Sequence, residues 1–286
     1  MHIVVCLKQV PDSAQIRVHP VTNTIMRQGV PTIINPYDLF ALEEALRLRD
    51  RLGGTVTALT MGPPTASESL RKALTFCADR AVLLTDRYFA GSDTLATSFA
   101  LASALGRIAT DFGAPEIIFT GKQTIDGDTA QVGPGIAKRL NYNQLTYVSR
   151  IVETDLDGGT ITVERRAEGG VQLLATRLPV LITMLEATNE MRRGTIENAL
   201  LAARAEVITW NATDVGIEDL TKCGLRGSPT IVKKVFAPTA RAEKAHLVAA
   251  DGGPSGIADA LIAEIFNRAP GVEADLYDFA ASHSGS

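Results

Sequence analysis

The chain has 286 residues, 45% hydrophobic and 21% charged, with a formal net charge of −4. That length permits one large domain or a domain with a substantial arm, on a prior of ~100–200 residues per domain, and supports a core without disulfides or structural metal. The balance excludes disorder or a coiled coil as the main content, and the slightly acidic sign leaves no footprint for nucleic acid or anionic lipid.

Apolar runs of strand length stand at Ile3-Leu7, Thr55-Met61, Ala81-Thr85 and Glu116-Thr120. Between them lie segments whose apolar residues return every three or four positions, the period of an amphipathic helix. The first helix carries its own start signal: Asn35 as cap, Pro36 at the first helical position and Asp38 in the first turn. The second is expected from Thr65 to about Cys77, the third from Ser92-Asp93 through Leu105, and the fourth after the Gly-rich segment 121–128, ending near Leu140. Alternation of this kind predicts α/β: a mostly parallel, open doubly wound (Rossmann-like) sheet with helices on both faces.

After residue 144 the pattern changes. Leu145-Val152, Thr160-Arg165, Val171-Thr176 and Val180-Met184 are short and β-rich, separated by Gly158-Gly159 and Gly169-Gly170, which reads as an antiparallel extension built from hairpins. From Phe236 to Ser286 the composition turns to Ala, Gly, Pro and charge, with one helix at Gly256-Arg268. The expected organisation is an α/β domain over 1–235 and a C-terminal arm over 236–286.

The three cysteines, Cys6, Cys77 and Cys223, are widely spaced and lack a C-x-x-C pair, which suits neither a disulfide framework nor zinc. No window approaches the ~18 apolar residues of a membrane span, and the N-terminus is too lightly patterned for a signal peptide. A cytoplasmic chain without direct membrane insertion is expected. The histidines, His2, His19, His246 and His283, lie near the termini or in expected loops and read as solvated. No Ser, Cys or carboxylate is spaced to pair with one as a catalytic unit.

In a doubly wound sheet, ligands lie beyond the carboxyl ends of the strands. Those ends are the chemically dense part of this sequence: Cys6-Leu7-Lys8, Met61-Gly62, Ser92-Asp93-Thr94 with Thr97, and the run from Gly121 to Val132. Two of these lead into helix N-termini, where free N–H groups favour phosphate, so a nucleotide is the simplest ligand. Neither G-x-G-x-x-G nor a P-loop is present. Asp126 and Asp128 flank Gly127 as an acid pair or a magnesium site would, or equally as a turn and a helix cap. The pattern is that of a holder of a nucleotide cofactor, with the hard chemistry left to the cofactor.

The opening Val4-Val5-Cys6-Leu7-Lys8-Gln9-Val10-Pro11-Asp12, the segment Ile34-Asn35-Pro36-Tyr37-Asp38, Thr60-Met61-Gly62-Pro63-Pro64, Gly121-Lys122-Gln123 with Ile125-Asp126-Gly127-Asp128-Thr129-Ala130-Gln131-Val132-Gly133, and Leu178-Pro179-Val180-Leu181-Ile182-Thr183 together resemble the beta subunit of electron transfer flavoprotein. Gly224-Leu225-Arg226-Gly227-Ser228-Pro229-Thr230 adds to the likeness, which covers about residues 1–235. Within that family it most resembles the nitrogen-fixation (FixA) type and its electron-bifurcating relatives. The resemblance implies an adenine-nucleotide site at Cys6, Leu7, Lys8, Asn35, Met61 and Gly121–Val132, holding FAD or, in a conventional non-bifurcating carrier, structural AMP. It implies a FixB-like alpha subunit as partner, NADH as donor, and a quinone oxidoreductase and a ferredoxin-like protein as acceptors. Thr94, Thr97 and Gln131 are the candidates for tuning the flavin. One departure stands at Asn189-Glu190-Met191-Arg192, where the family pattern has proline at the third place. Beyond it the family's partner-recognition loop maps to Ile196 as apolar anchor with Arg192 and Arg193 as charge guides. The competing reading is a plain amphipathic helix with Ile196 and Leu200 turned inward. A stand-alone nucleotide-binding module without redox work is the remaining rival.

Overall fold

The computed structural model describes residues 1–12, 31–231, 247–249 and 251–283, with the backbone alone of 17–18 and 25–26. The chain divides into two compact units, Met1–Ala237 and Pro238–Ser286. In the first, the elements run β1 (His2–Leu7), β2 (Gln9–Pro11), β3 (Arg17–Val18), β4 (Ile25–Met26), β5 (Thr32–Ile34), α1 (Pro36–Leu52), β6 (Thr55–Met61), α2 (Ser67–Thr75), β7 (Arg80–Leu84), α3 (Thr94–Phe112), β8 (Ile117–Gly121), α4 (Val132–Leu140), β9 (Asn143–Asp155), β10 (Thr160–Ala167), β11 (Gly170–Arg177), β12 (Val180–Met184), α5 (Ile196–Arg204) and β13 (Ile208–Trp210). Nine strands form one sheet in the order β11-β10-β9-β12-β8-β1-β6-β7-β13.

From β12 to β13 every neighbour is parallel. Parallel strands covered on both faces read as unbroken apolar runs, and β1, β8 and β12 are buried along their whole length. Side chains nevertheless alternate between two cores. Ile3, Val5 and Leu7 join Leu42 and Leu46 of α1 and Leu70 of α2, while Val4 and Cys6 join Leu101, Leu105 and Ile136 under α3 and α4. The chain moves outward from β1 to β6 and β7, then α3 carries it back to β8 on the other side of β1. The reversal of strand order therefore falls between β1 and β8, which fixes where a ligand can enter.

The extension pairs β9 with β10 and β10 with β11, all antiparallel. Two expectations need correction. Val180–Met184 is not a hairpin member: it lies parallel between β8 and β9, because five consecutive buried residues cannot present a solvent face. Ser67, not Thr65, opens α2, the residues before it forming a single tighter turn at Pro64–Ala66.

The second unit contains α6 (Gly253–Arg268) and α7 (Pro270–His283). Only the first was expected from the sequence; α7 opens on Pro270, a residue well tolerated at a first helical position. Apolar Leu261, Ile262, Ile265, Leu276 and Phe279 along these helices are exposed. Phe236, where the arm was expected to begin, lies outside the described residues, as do His19 and His246. Among the described residues no helix is long and apolar enough to cross a membrane.

Candidate functional site

A cleft of about 870 Å³ opens over the strand ends of β1, β6, β7 and β8 and the first turns of α3 and α4. It is lined by Cys6, Leu7, Lys8, Met61, Gly62, Asp93, Thr94, Thr97, Gly121, Lys122, Gln123, Gly127, Thr129, Ala130, Gln131 and Val132 among others, so the structure brings together all of the sequence candidates except Asn35, Ile125, Asp126 and Asp128. Asn35 is buried behind the wall, while Asp126 and Asp128 are exposed on the loop after β8.

Asn35 is fully buried, and its side chain makes no capping bond to α1. Its amide instead donates to Gln123 O at 2.9 Å and its carbonyl accepts from Ile125 N at 3.2 Å. The expected cap is thus a clasp that holds the loop after β8 against the start of α1. Asp126 and Asp128 cap no helix either, since α4 begins at Val132. The Asp126 carboxylate receives Lys8 Nζ at 2.8 and 2.9 Å, and Asp128 receives Gln123 Nε2 at 2.7 Å. Partial burial raises the Asp126 pKa, but the Lys8 hydrogen bond and charge outweigh that and hold the carboxyl below its ordinary range. Asp128 and Ala130 adopt left-handed backbone, with φ of 50° and 55°. Such conformations cost on the order of 1–3 kcal/mol each and persist where surrounding contacts over-determine them; at Asp128 the bond from Gln123 is one such contact.

On the opposite wall Asp93 does cap α3, accepting from Leu95 N at 2.9 Å and Ala96 N at 3.0 Å. Its other oxygen accepts from Thr230 N and Oγ1 at 3.1 and 2.8 Å, and its own N–H donates to Ser228 Oγ at 2.8 Å. Slight burial opposes ionisation, but these donors hold the carboxyl below its usual range. The segment 224–230 is therefore pinned beside the start of α3. Thr94 Oγ1 donates to Gln131 Oε1 at 2.8 Å, tying the two helix starts together across the cleft.

The residue that sequence reasoning missed is Asp38. Buried under the cleft, it accepts from Lys8 N at 2.7 Å and Gly121 N at 3.0 Å. Read from the sequence it is an acidic first-turn residue, and nothing in its spacing shows a bond to a partner more than eighty residues away. Thr85, Asp86, Arg87, Phe89 and Gly91 also line the cleft. Their signal was available, because they follow the strand end of β7.

The chemistry on offer is binding. Burial, followed by the nearby Asp38 charge, pushes the Cys6 thiol up to about 12, so it stays protonated and inert. His2, expected to be solvated, is buried at the amino end of β1, the end away from the cleft, 2.8 Å from Gly113 O and 3.0 Å from Thr57 Oγ1, and desolvation lowers its pKa. Among the described residues no three His, Cys, Asp or Glu side chains gather as a metal site would require.

The segment after β12 corrects the inward-packing expectation. It does form α5, but Ile196 is 82% exposed and Leu200 56%. Arg192 is not a free guide: it is locked to Glu43 and Asp50 of α1 at 2.9 and 2.7 Å, leaving Arg193 exposed.

Comparison with known proteins gives a consistent result. Residues 22–215 match the model of the electron transfer flavoprotein domain. A protein named FixA from Azorhizobium caulinodans is 75% identical over 276 residues, covering 96% of this chain and 98% of that protein. FixA of Azotobacter vinelandii is 62% identical over 277 residues, covering 96% and 98%. Electron transfer flavoprotein subunit beta from Clostridium acetobutylicum is 48% identical over 234 residues, covering 82% and 87%.

Proposed function

This chain belongs to the electron transfer flavoprotein family, on its beta-subunit side, and from that premise we propose that it is the FAD-binding subunit of a two-subunit carrier that takes electrons from NADH and divides them between a quinone path and a ferredoxin or flavodoxin. The observation that supports FAD over AMP is the cleft itself. Its volume of about 870 Å³ lies towards the top of the ~300–1,000 Å³ typical of small-molecule sites, far more than a mononucleotide fills. The small residues Thr129 and Ala130 keep the phosphate end open, and Met61, Phe89, Leu101 and Val132 offer apolar lining for a flat ring. The start of α4, which carries no side-chain cap, supplies free N–H groups for a diphosphate. Bound there, FAD would supply hydride acceptance and one-electron delivery, while the protein binds, orients and excludes water. Thr94, Thr97 and Gln131 line the cleft and would hydrogen-bond it, which requires the Thr94–Gln131 bond to open or rotate.

The partner is an alpha subunit of the FixB kind. The exposed Ile196, Leu200 and Leu201 of α5 suit the docking of redox partners, and the unit from Pro238 to Ser286 suits a grip on the alpha subunit, since its exposed apolar residues would otherwise be an association liability. Truncation after Thr239 should therefore lower the heterodimer yield on co-expression while leaving the remaining domain folded by circular dichroism; an undiminished yield would remove the arm from the interface. The nucleotide is settled by extraction from the purified heterodimer. Two FAD per heterodimer is the expected count, whereas one FAD with one AMP, or a complex that NADH does not reduce, returns the chain to the conventional carriers.

A further inference from the structure

The backbone ladder between β1 and β8 stops at Val5 opposite Phe119. Beyond it β1 follows β6 as far as Leu7 opposite Thr60, while β8 follows β12 as far as Gly121 opposite Met184. The strands thus part at the point where the order of the sheet reverses, and the N–H groups of Lys8 and Gly121 are left without a ladder partner between them. One side chain takes both: Asp38 Oδ2 accepts from Lys8 N at 2.7 Å and Oδ1 from Gly121 N at 3.0 Å.

We propose that Asp38 is the positioning residue of the nucleotide cleft: its ionised carboxylate joins the ends of β1 and β8 where the sheet parts, and proton uptake there loosens the cleft floor and releases the nucleotide. The proposal rests on the nucleotide reading above and adds to it a residue and a pH dependence.

The geometry admits little alternative to ionisation. Asp38 receives the Lys8 and Gly121 N–H groups and the Asn35 side chain. A protonated carboxyl would turn an O–H towards this ring of donors. The start of α1 is pressed closely onto the strand end. A Cβ at Gly121 would lie 2.5 Å from Tyr37 Cβ and 2.6 Å from Asp38 Oδ1. The facing charged and titratable groups are few. From β1 comes the neutral Cys6 thiol; after β1 the Lys8 ammonium, held by Asp126; after β8 Lys122, paired with Glu186 at 3.0 Å and lying 5.0 Å from the ring centre of Tyr37 on α1. Burial pushes the Asp38 carboxyl up to about 7 against the pull of its donors and of Lys8, so its titration falls where cells and buffers operate.

The test is the affinity of the full-length chain for FAD and, separately, AMP from pH 8 to pH 5.5. Linkage to one proton predicts a fall of roughly 10–30-fold over that range. D38N, which retains one acceptor and adds an opposed donor, should bind at least 10-fold more weakly at pH 8 and lose the fall, apart from what the ligand's own phosphate contributes. Should D38N not fold, D38E carries the test, since a retained carboxylate must retain a pH-dependent step. A flat profile for the unaltered chain, or an unchanged one in D38N, overturns the role of Asp38. If the unaltered chain binds neither nucleotide at any pH, the reading of the cleft falls first and this inference with it.

Discussion

Gly127→Val should leave a folded chain with an empty cleft, its FAD affinity down by about 100-fold, or ~2.7 kcal/mol. The fold itself has no reason to object. The Gly127 backbone is not left-handed, and a Cβ there would meet only Thr124 Oγ1 at 3.4 Å, an ordinary contact. The added isopropyl group therefore enters the space that the ligand's phosphates require, and it blocks the close approach of backbone N–H groups. Thr129→Leu at the same wall should act in the same direction, by filling the phosphate end instead of straining the loop. Flavin absorbance of the purified heterodimer per chain, alongside a melting curve, reads both effects. Normal flavin content in both variants would place the phosphates elsewhere.

What the sequence disclosed and what it withheld divide along a physical line. The strands of the parallel sheet and α1, α3 and α4 were legible because each carries its own periodicity and its own boundary residues; Asp93 caps α3 in the structure as its position suggests. The clustering of chemistry at the strand ends, with a family resemblance that the comparisons bear out, located the cleft. Roles that depend on distant partners were not legible. Asn35 looks like a cap by its neighbours, and only the loop 88 residues later makes it a clasp. The apolar run 180–184 has no period with which to tell a hairpin from a buried parallel strand. Asp38 carries no local sign that it bridges two strands.

The departure from proline at Met191 is a further place where distant contacts decide, and Arg192→Ala should expose it. Met191 packs against the core and cannot fix φ as proline would. The segment is held instead by Arg192, whose Nε and Nη2 reach both oxygens of Glu43 at 2.9 and 3.3 Å, whose Nη1 reaches Asp50 at 2.7 Å, and whose backbone N–H adds a further bond to Glu43 at 3.1 Å. The Glu43 side chain is only 5% exposed. Breaking one side of a buried pair costs ~3–5 kcal/mol; because Arg47 still reaches Glu43 at 2.9 Å, we expect ~2–3 kcal/mol here. The pH dependence gives the test its sign. In the unaltered chain burial raises the Glu43 pKa, but the bonds from Arg192 and Arg47 win and hold it below its ordinary value of 4.5. The pair's stabilisation is therefore present above about that pH and lost as pH falls through the lowered folded value. Without Arg192 the burial contribution dominates, so the deficit should be largest at pH 7 and shrink towards pH 4. Urea midpoints at the two values decide it. Arg192→Lys, which cannot reproduce the fork, should recover only part of the loss, and equal deficits at both pH values would show that the latch is not electrostatic. Because this latch leads directly into α5, the same variant should also weaken partner binding through Ile196, without altering the nucleotide content of the cleft.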